Sequence, residues 1–408
     1  MTTYLASAPA RADFLNTHQD YKGLSVVPVG LNLRTTLTAQ ALPERILKIQ
    51  SLDLARSGER SADTFKVGTN EILEKGFFGN YFRAVINVIA ERGLADMVQG
   101  LEVTVRSRIP IGSGLASSAS LTVAFAALLN HAFQLGFGKR ELAEISYISE
   151  SQRVGTRCGR LDQYGVCFGG IISLECKPPY KVEQLPFTNL TFAIADSGIR
   201  HSTQDVHTKR QDELNRGLKA LMESNAPPEL KAKLGYRFDE PRWNLLRENE
   251  ITNYLSIMDD EERRRILFTI RMNTLNDVAL KVLRFQPTSV EDLTSVLNPV
   301  KLSQIRNAPE VEKDWIMLGE IMNKQQTLLR ELYDVSLPKI EEICSAALAA
   351  GAYGAKISGA GMGGSVIALV KNEEVGRRVV EACKSVGAKD GWVSAVGEGA
   401  NACSSAEP

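Results

Sequence analysis

Four polar or glycine-rich segments carry the side chains that could do chemistry. They are residues 11–23, residues 110–120, the surroundings of Asp162, and residues 357–365. Two glycine-rich loops could cradle a polyphosphate, and Arg11 could supply a fixed charge for a transferring phosphoryl group. Asp162 could accept a proton or bind a metal ion. Together these parts meet the needs of phosphoryl transfer, which are a phosphate cradle, a counter-charge, a metal ion and an oriented nucleophile.

The segment from Pro110 to Ser120 is the most informative of the four. Alternating apolar and polar residues at 101–108 predict a strand before it, and the Ala/Leu-rich run at 121–129 predicts a buried helix after it. A glycine-rich turn that leads into a helix N-terminus offers unpaired N–H groups and a positive dipole end, which suit phosphate. The alternative is an ordinary tight turn capped by serine. The segment is not a Walker A motif, since no Gly-Lys-Ser/Thr follows.

The composition excludes several classes of protein. A chain of 408 residues with 44% hydrophobic and 24% charged residues predicts a soluble globular protein of two domains. Lys+Arg and Asp+Glu both number 48, so no global basic field would attract nucleic acid or a membrane. No signal peptide and no run of ~18 apolar residues is apparent. The cysteines and histidines show no zinc spacing, so we expect a reduced, cytoplasmic, zinc-free protein.

The order of predicted elements suggests where the domains divide. Residues 4–40 are rich in strand patterns, and apolar residues recur at helical spacing over 77–92 and 139–153. From about residue 203 to 350 the chain is charged and mostly helical in pattern. We therefore predict an N-terminal domain over residues 1–200 and a C-terminal domain over residues 201–408.

The ordered set of segments resembles the GHMP small-molecule kinases, and most closely their galactokinase branch. Residues 110–120 resemble the second motif of that family, Pro-x-x-x-Gly-Leu-x-Ser-Ser-Ala, and residues 357–364 resemble the third. Residues 8–11, followed by residues 18–23, resemble the first motif and the sugar-binding signature, and residues 158–163 resemble the catalytic-aspartate segment. The resemblance implies an α+β fold of two domains, the first ribosomal-protein-S5-like and the second ferredoxin-like with added helices.

The resemblance also implies an activity, an ATP- and Mg²⁺-dependent sugar 1-kinase acting on a monosaccharide. Asp162 would face the anomeric hydroxyl, and Arg11 would steady that hydroxyl and the developing charge. Because an arginine stabilises the ionised form of a neighbouring carboxyl group, Asp162 is expected to orient the hydroxyl more than to remove its proton early. Ser118 and Glu150 would hold magnesium. The phosphates would be lined by Gly112, Ser113, Gly114, Leu115, Ala116, Ser117 and Ser118. The sugar would be bound by Thr17, His18, Asp20 and Tyr21.

The sugar signature departs from the family at Thr17, where galactokinases usually carry a glutamate that meets the C6 hydroxyl of the sugar. Thr17 could donate a hydrogen bond to a carboxylate at C6, where a glutamate would repel it. The predicted substrate is therefore galactose or a close relative, with a uronic acid or another sugar with altered C6 recognition as the alternative.

Other interpretations remain open for single residues and for the whole chain. Ser118 could only cap its helix, Glu150 could be a solvated helix residue, and His18 and Tyr21 could be core residues. A GHMP kinase of an isoprenoid or amino-acid alcohol would fit poorly with residues 18–21. A sugar sensor without turnover is disfavoured, because Ser118 and its neighbours in the second motif are intact. The sequence does not predict an oligomeric state.

Overall fold

A computed structural model describes residues 2–156, 158–200 and 203–406 of the chain. The contacts within it divide the chain into two compact units. Among the described residues, the first unit takes 2–11, 29–170 and 396–406, and the second takes 12–28 and 171–395. Both units mix strands with helices, which confirms the predicted α+β class with two domains.

The secondary structure of the described residues runs in the following order. The strands are β1 (Thr2–Leu15), β2 (Val27–Leu42), β3 (Ile46–Ser51), β4 (Ala62–Lys66), β5 (Gly100–Ser107), β6 (Ile172–Leu174), β7 (Val182–Gln184), β8 (Thr191–Asp196), β9 (Gly354–Ser358), β10 (Ser365–Val370), β11 (Asp390–Ala395) and β12 (Asn401–Ala406). The α-helices are α1 (Leu52–Arg56), α2 (Gly79–Glu91), α3 (Ser117–Ala132), α4 (Lys139–Ile148), α5 (Leu161–Phe168), α6 (Thr203–Glu223), α7 (Pro228–Lys231), α8 (Glu248–Ile251), α9 (Asp260–Leu283), α10 (Val290–Val296), α11 (Pro299–Asn307), α12 (Glu310–Glu331), α13 (Pro338–Ala349) and α14 (Glu373–Ser385). A π-helical turn spans Ser149–Val154, and 3₁₀ turns span Asp20–Lys22, Ala95–Met97, Trp243–Leu245 and Thr252–Ile257.

The first unit is built on a six-stranded sheet in the order β12-β1-β2-β5-β3-β4. In β5, Leu101, Val103 and Val105 are buried and Glu102 is exposed, because successive side chains of a strand point to opposite faces. This alternation confirms the strand predicted before the glycine-rich loop. Helix α3 follows the loop and is buried on nearly all sides, which explains its small and apolar composition.

A junction of glycines holds the end of α5 against β2 and against the segment that precedes β12. The N–H of Gly170 donates to the carbonyl of Gly397 at 2.8 Å, and the N–H of Gly30 donates to the carbonyl of Gly170 at 2.8 Å. Gly169 has a φ of 62°, and a side chain there would meet the backbone N of Gly399 at 2.0 Å. Because there is no room for a Cβ, only glycine lets these three chain segments approach so closely.

The second unit contains a four-stranded antiparallel sheet in the order β11-β8-β10-β9. Numbered along the chain, these strands lie in the order 4-1-3-2, and α14 connects β10 to β11. That topology is ferredoxin-like and confirms the prediction for the C-terminal fold. Helices α13 and α14 pack on this sheet through a shared apolar core. A second core joins α6, α7 and α9, so the charged helical sequence does pack on a common interior.

The division of the chain at residue 200 differs from the compact units. Strand β8 precedes that residue yet pairs with β10 and β11, while β12 follows it yet pairs with β1. Residues 171–196 therefore pack in the second unit, and the last strand packs in the first. The pairs that β8 and β12 form join residues far apart in the sequence, and no local sequence pattern indicates such pairs. The division at 1–200 and 201–408 stays a prediction about the family domains.

The glycine junction yields a first prediction. Gly169→Ala should lower the free energy of unfolding by about 3 kcal/mol or more, because it combines a left-handed backbone with a Cβ that clashes with main chain. Gly58→Ala is the matched control, since Gly58 has a φ of 75° and nothing within 4 Å of the added Cβ. That variant should lose only about 1 kcal/mol. Urea denaturation of both variants measures these losses. Equal losses of unfolding free energy would contradict the close packing of Gly169 against the backbone of Gly399.

Candidate active site

The glycine-rich loop leads directly into α3. Gly112 and Gly114 have positive φ angles of 68° and 77°, and Ala116 adopts a left-handed φ of 59° just before the helix. No side chain caps the N-terminus of α3 in the described structure, and Ser113 instead donates its hydroxyl to the carbonyl of Pro110 at 2.8 Å. The serine-capped turn is therefore not what forms. The first turn of α3 presents backbone N–H groups and a positive dipole end, which together favour a phosphate.

Arg11 joins this loop to Asp162. The backbone N–H of Arg11 donates to the carbonyl of Leu115 at 3.1 Å, and its Nη1 donates to the carbonyl of Gly114 at 3.3 Å. Its Nη2 forms an ion pair with Asp162 Oδ1. The Arg11 side chain is almost fully buried, whereas the Asp162 side chain is 30% exposed. The structure thus brings the two predicted catalytic residues together, with the carboxylate as the more accessible partner.

Glu150 and Ser118, the predicted magnesium ligands, also lie together. Glu150 is buried, and its Oε1 accepts hydrogen bonds from Thr122 Oγ1 at 3.0 Å and Gln163 Nε2 at 2.9 Å. Burial raises the pKa of Glu150 to about 7, while hydrogen bonds from Gln163 and Ser118 oppose the rise and the charge of Asp162 adds to it. The solvated-helix alternative for Glu150 is wrong, because Glu150 is buried together with Ser149 at the start of the π-helical turn.

Three neighbours of this cluster were not predicted from the sequence. Tyr81 on α2 hydrogen-bonds Ser118, and burial raises the pKa of Tyr81 to about 12. Thr122 follows Ser118 by four residues on α3, so helical spacing could have placed it on the same face. Gln163 follows Asp162 directly in the chain. Only a tertiary contact reveals Tyr81, since nothing near it in the sequence marks chemistry.

In the second unit, His18 and Tyr21 belong to a buried hydrogen-bonded chain. His18 Nε2 lies 3.1 Å from the carbonyl of Ala360, so this nitrogen carries the proton and donates. The Nδ1 of His18 therefore accepts from the Tyr21 hydroxyl at 3.4 Å, and Tyr21 lies 2.5 Å from the hydroxyl of Tyr333. These contacts fix the signature against the third-motif loop. The role of both residues as sugar ligands stays a prediction.

Thr17 and Asp20 lie on either side of His18 in the same segment. Thr17 is buried, and its Oγ1 accepts a hydrogen bond at 2.8 Å from the ammonium of Lys356 in β9. Asp20 begins the 3₁₀ turn Asp20–Lys22 and is partly exposed. Lys356 was missed, although a lysine inside the apolar and small residues of β9 is a signal for a buried functional charge.

Three family models match parts of this chain. Residues 2–41 match the galactokinase galactose-binding signature, residues 80–170 match the GHMP kinases N terminal domain, and residues 304–389 match the GHMP kinases C terminal domain. The chain belongs to the GHMP kinase family. The signature at its N-terminus assigns this member of the family to the galactokinase branch, as the sequence motifs predicted.

Curated relatives and solved structures extend the likeness over the whole chain. Galactokinase from Clostridium tetani is 27% identical, covering 96% of this chain and 91% of its own length. Galactokinase from Thermococcus kodakarensis is also 27% identical, covering 92% of each. The structure of Lactococcus lactis galactokinase complexed with galactose aligns with a TM-score of 0.77 at 22% identity, covering 98% of this chain and 95% of that one. Methanococcus jannaschii mevalonate kinase aligns with a TM-score of 0.65 at 18% identity, covering 97% and 98%. These structural matches confirm the two-domain GHMP kinase fold.

The buried position of His18 predicts a pH dependence of stability. Burial lowers the pKa of His18 well below its ordinary value of 6.5, and the nearby His207 and Lys22 add to the shift. Below pH 6.5 the unfolded chain therefore binds a proton that the folded chain does not, so stability falls as the pH falls. His18→Asn, which tolerates the φ of 64° at this position, should remove up to about 1.4 kcal/mol of that loss per pH unit.

Chemical denaturation of the wild type and His18→Asn between pH 5 and 8 measures this effect. The wild type should lose stability more steeply than the variant below pH 6.5, the ordinary pKa of the side chain. The two curves should run parallel above that pH, offset by the lost hydrogen bond to Ala360. Parallel curves over the whole range would contradict a histidine held neutral by the fold.

Proposed function

We propose that this GHMP kinase transfers the γ-phosphoryl group of ATP to the anomeric hydroxyl of galactose or a close relative. The observation that carries the proposal is the ion pair between Arg11 and Asp162 beside the glycine-rich loop. That pair occurs in a chain whose N-terminal residues match a galactose-binding signature. A cytoplasmic location, expected from the cysteine usage, is part of the same proposal. Within the described structure, no helix is both long enough and apolar enough to span a bilayer.

The proposed step exchanges one phosphorus–oxygen bond for another. The anomeric oxygen forms a bond to the γ-phosphorus as the bond from that phosphorus to the β–γ bridging oxygen breaks. ADP leaves, and the proton of the sugar hydroxyl is released. Asp162 is the proposed acceptor of the hydrogen bond from that hydroxyl, because it is the exposed partner of the ion pair. Its carboxylate orients the oxygen, which matters most where the transition state is loose.

Arg11 and the glycine-rich loop are proposed to stabilise the negative charge that passes to ADP. Arg11 is fixed by the carbonyls of Gly114 and Leu115 and by Asp162, so its guanidinium is held in place before the reaction. The phosphates would contact the backbone of residues 112–116 and the first turn of α3. Ser117 and Ser118 stand at that turn. The glycines of the third motif are proposed to shape the wall of the site.

Mg²⁺ is the proposed cofactor, held by Ser118 and Glu150. The residues fit such an ion, because a buried carboxylate whose pKa is raised to about 7 by burial would be stabilised in its charged form by a cation. Among the described residues no group of three or more His, Cys, Asp or Glu could hold a metal ion. Phosphate oxygens and water would therefore complete the octahedral shell. When bound, Mg²⁺ would neutralise charge on the ATP phosphates.

The catalytic assignment predicts different effects on kcat for two aspartates paired with arginines. Asp162→Asn should lower kcat by a factor of about 10² to 10⁴, because it removes the group that orients the hydroxyl. It should also lower the melting temperature, because Arg11 is left buried without its carboxylate partner. Asp63→Asn is the matched control, since Asp63 forms a bidentate pair with Arg83 at 2.8 and 2.9 Å and is buried. That variant should lower the melting temperature and leave the kcat of the folded enzyme unchanged. Steady-state kinetics with galactose and thermal melts test both.

The metal assignment predicts a change in the Mg²⁺ requirement. Glu150→Gln should raise the Mg²⁺ concentration that gives half-maximal rate by about 10-fold or more, because an amide is a weaker ligand for a hard cation. Glu141→Gln is the control, since Glu141 caps the start of α4 and is exposed. Excess EDTA should abolish turnover in all three proteins. A Glu150 variant with the wild-type Mg²⁺ dependence would contradict the assignment.

A further inference from the structure

Lys356 places a positive charge inside the sugar-binding signature. Its side chain is fully buried in β9, and its Nζ donates hydrogen bonds of 2.8 Å to the carbonyls of Asp13 and Ile357 and to Thr17 Oγ1. Burying an ammonium is costly, so the fold keeps it only with well-formed hydrogen bonds. These contacts hold Lys356 directly behind the hydroxyl of Thr17.

The hydrogen bond from Lys356 determines that Thr17 acts as a donor toward any further partner. Because the hydroxyl oxygen of Thr17 accepts from Lys356, its own proton points away from the ammonium. A ligand group that meets Thr17 therefore faces a hydrogen-bond donor with a cation behind it. Such a donor favours an oxygen acceptor, and it favours an anionic acceptor most, because charge-assisted hydrogen bonds are the stronger kind.

The charges around the sugar-binding signature also favour an anionic group near Thr17. Lys22 is also fully buried, and it donates to Thr269 at 3.0 Å. The charge of Asp20 opposes the effect of burial on the pKa of Lys22, so this carboxylate favours the charged form of that lysine. Both lysines repel a proton on His18, which places their charges within reach of the segment that carries Thr17.

From this arrangement we infer that Lys356, acting through Thr17, makes the site select a hexuronic acid over a neutral hexose. The inference rests on the proposed function, because it takes Thr17 to contact a sugar phosphorylated at its anomeric oxygen. In such a sugar C1 carries the reacting hydroxyl, so a carboxylate has to stand at the other end of the carbon chain, at C6. The transfer itself is the one proposed above. Lys356 is a positioning residue, since Thr17 lies between it and the ligand.

The test compares galacturonate, galactose, glucuronate and glucose as substrates, with ADP release as the measurement. Wild-type protein should show a kcat/KM for galacturonate at least 10-fold above that for galactose. Thr17→Val keeps the shape of the side chain and removes the donor, and Lys356→Met removes the cation. Each should lower the galacturonate-to-galactose ratio by about 10- to 100-fold, mainly by raising KM for galacturonate.

Three further variants separate this effect from general damage. Thr17→Ser keeps the hydroxyl and should retain the wild-type ratio, and Lys339→Met, which removes a half-exposed lysine of α13, should also leave it unchanged. Thr17→Glu places a carboxylate beside Lys356 and should abolish the use of galacturonate while galactose is still turned over. Thermal melts and ATP binding confirm that each variant is folded. Should Lys356→Met fail to fold, Lys356→Gln takes its place, because the amide keeps a hydrogen-bond donor for Thr17 and removes the charge.

Each possible result supports or overturns the inference. The expected ratio in the wild type together with its loss in Thr17→Val supports it. A preference for galactose overturns the inference and leaves the proposed sugar kinase intact. A preference for galacturonate that either Thr17→Val or Lys356→Met leaves unchanged does the same. Turnover of no sugar, together with retained sugar binding, overturns the proposed function itself and favours a sugar sensor.

Discussion

The candidate catalytic centre depends on one buried arginine. Arg11 is held by two carbonyls of the glycine-rich loop and by the carboxylate of Asp162, so strand β1, the loop and helix α5 share a single guanidinium. An arginine keeps its charge when buried, and its planar fork gives several hydrogen bonds a fixed geometry. The loop carbonyls that hold Arg11 therefore also fix the position of Asp162. The glycine junction at residues 169–170 fixes the other end of the short helix that carries this carboxylate.

The second unit buries two lysines, Lys22 and Lys356, whose ammonium groups must be stabilised without water. Lys22 lies among aromatic rings, 4.9 Å from the ring centres of Phe268 and Tyr333. Lys356 instead uses oxygens of the signature itself. The difference matters for function. Lys22 contacts these rings and the hydroxyl of Thr269, which lie outside the signature, whereas the hydrogen bond from Lys356 to Thr17 ties a charge to a segment that is proposed to bind sugar. The same residue type thus has one structural and one specificity-related role in neighbouring positions.

Much of the fold could be predicted from local sequence patterns. The alternation at 101–108 and the apolar run at 121–129 became β5 and α3. Ordered motifs also identified Arg11 and Asp162, which the structure places together. The interleaving of the two units could not be predicted, because β8 and β12 find their partners only in tertiary structure. Tyr81 was missed for the same reason, whereas Lys356 did carry a local signal, as a lysine among the apolar and small residues of β9.

The pairing of β12 with β1 has a consequence for how the chain is made. The first unit needs residues 396–406 to complete the edge of its sheet, yet all of residues 171–395 precede them in the chain. During synthesis, one edge of β1, the strand that carries Arg11, therefore stays unpaired until β12 is made. Unpaired strand edges promote aggregation, and proteins usually cover them. The backbone anchor of α5 at Gly397 arrives equally late. A nascent chain that already contains both glycine-rich loops therefore still lacks the strand that completes this edge of the sheet.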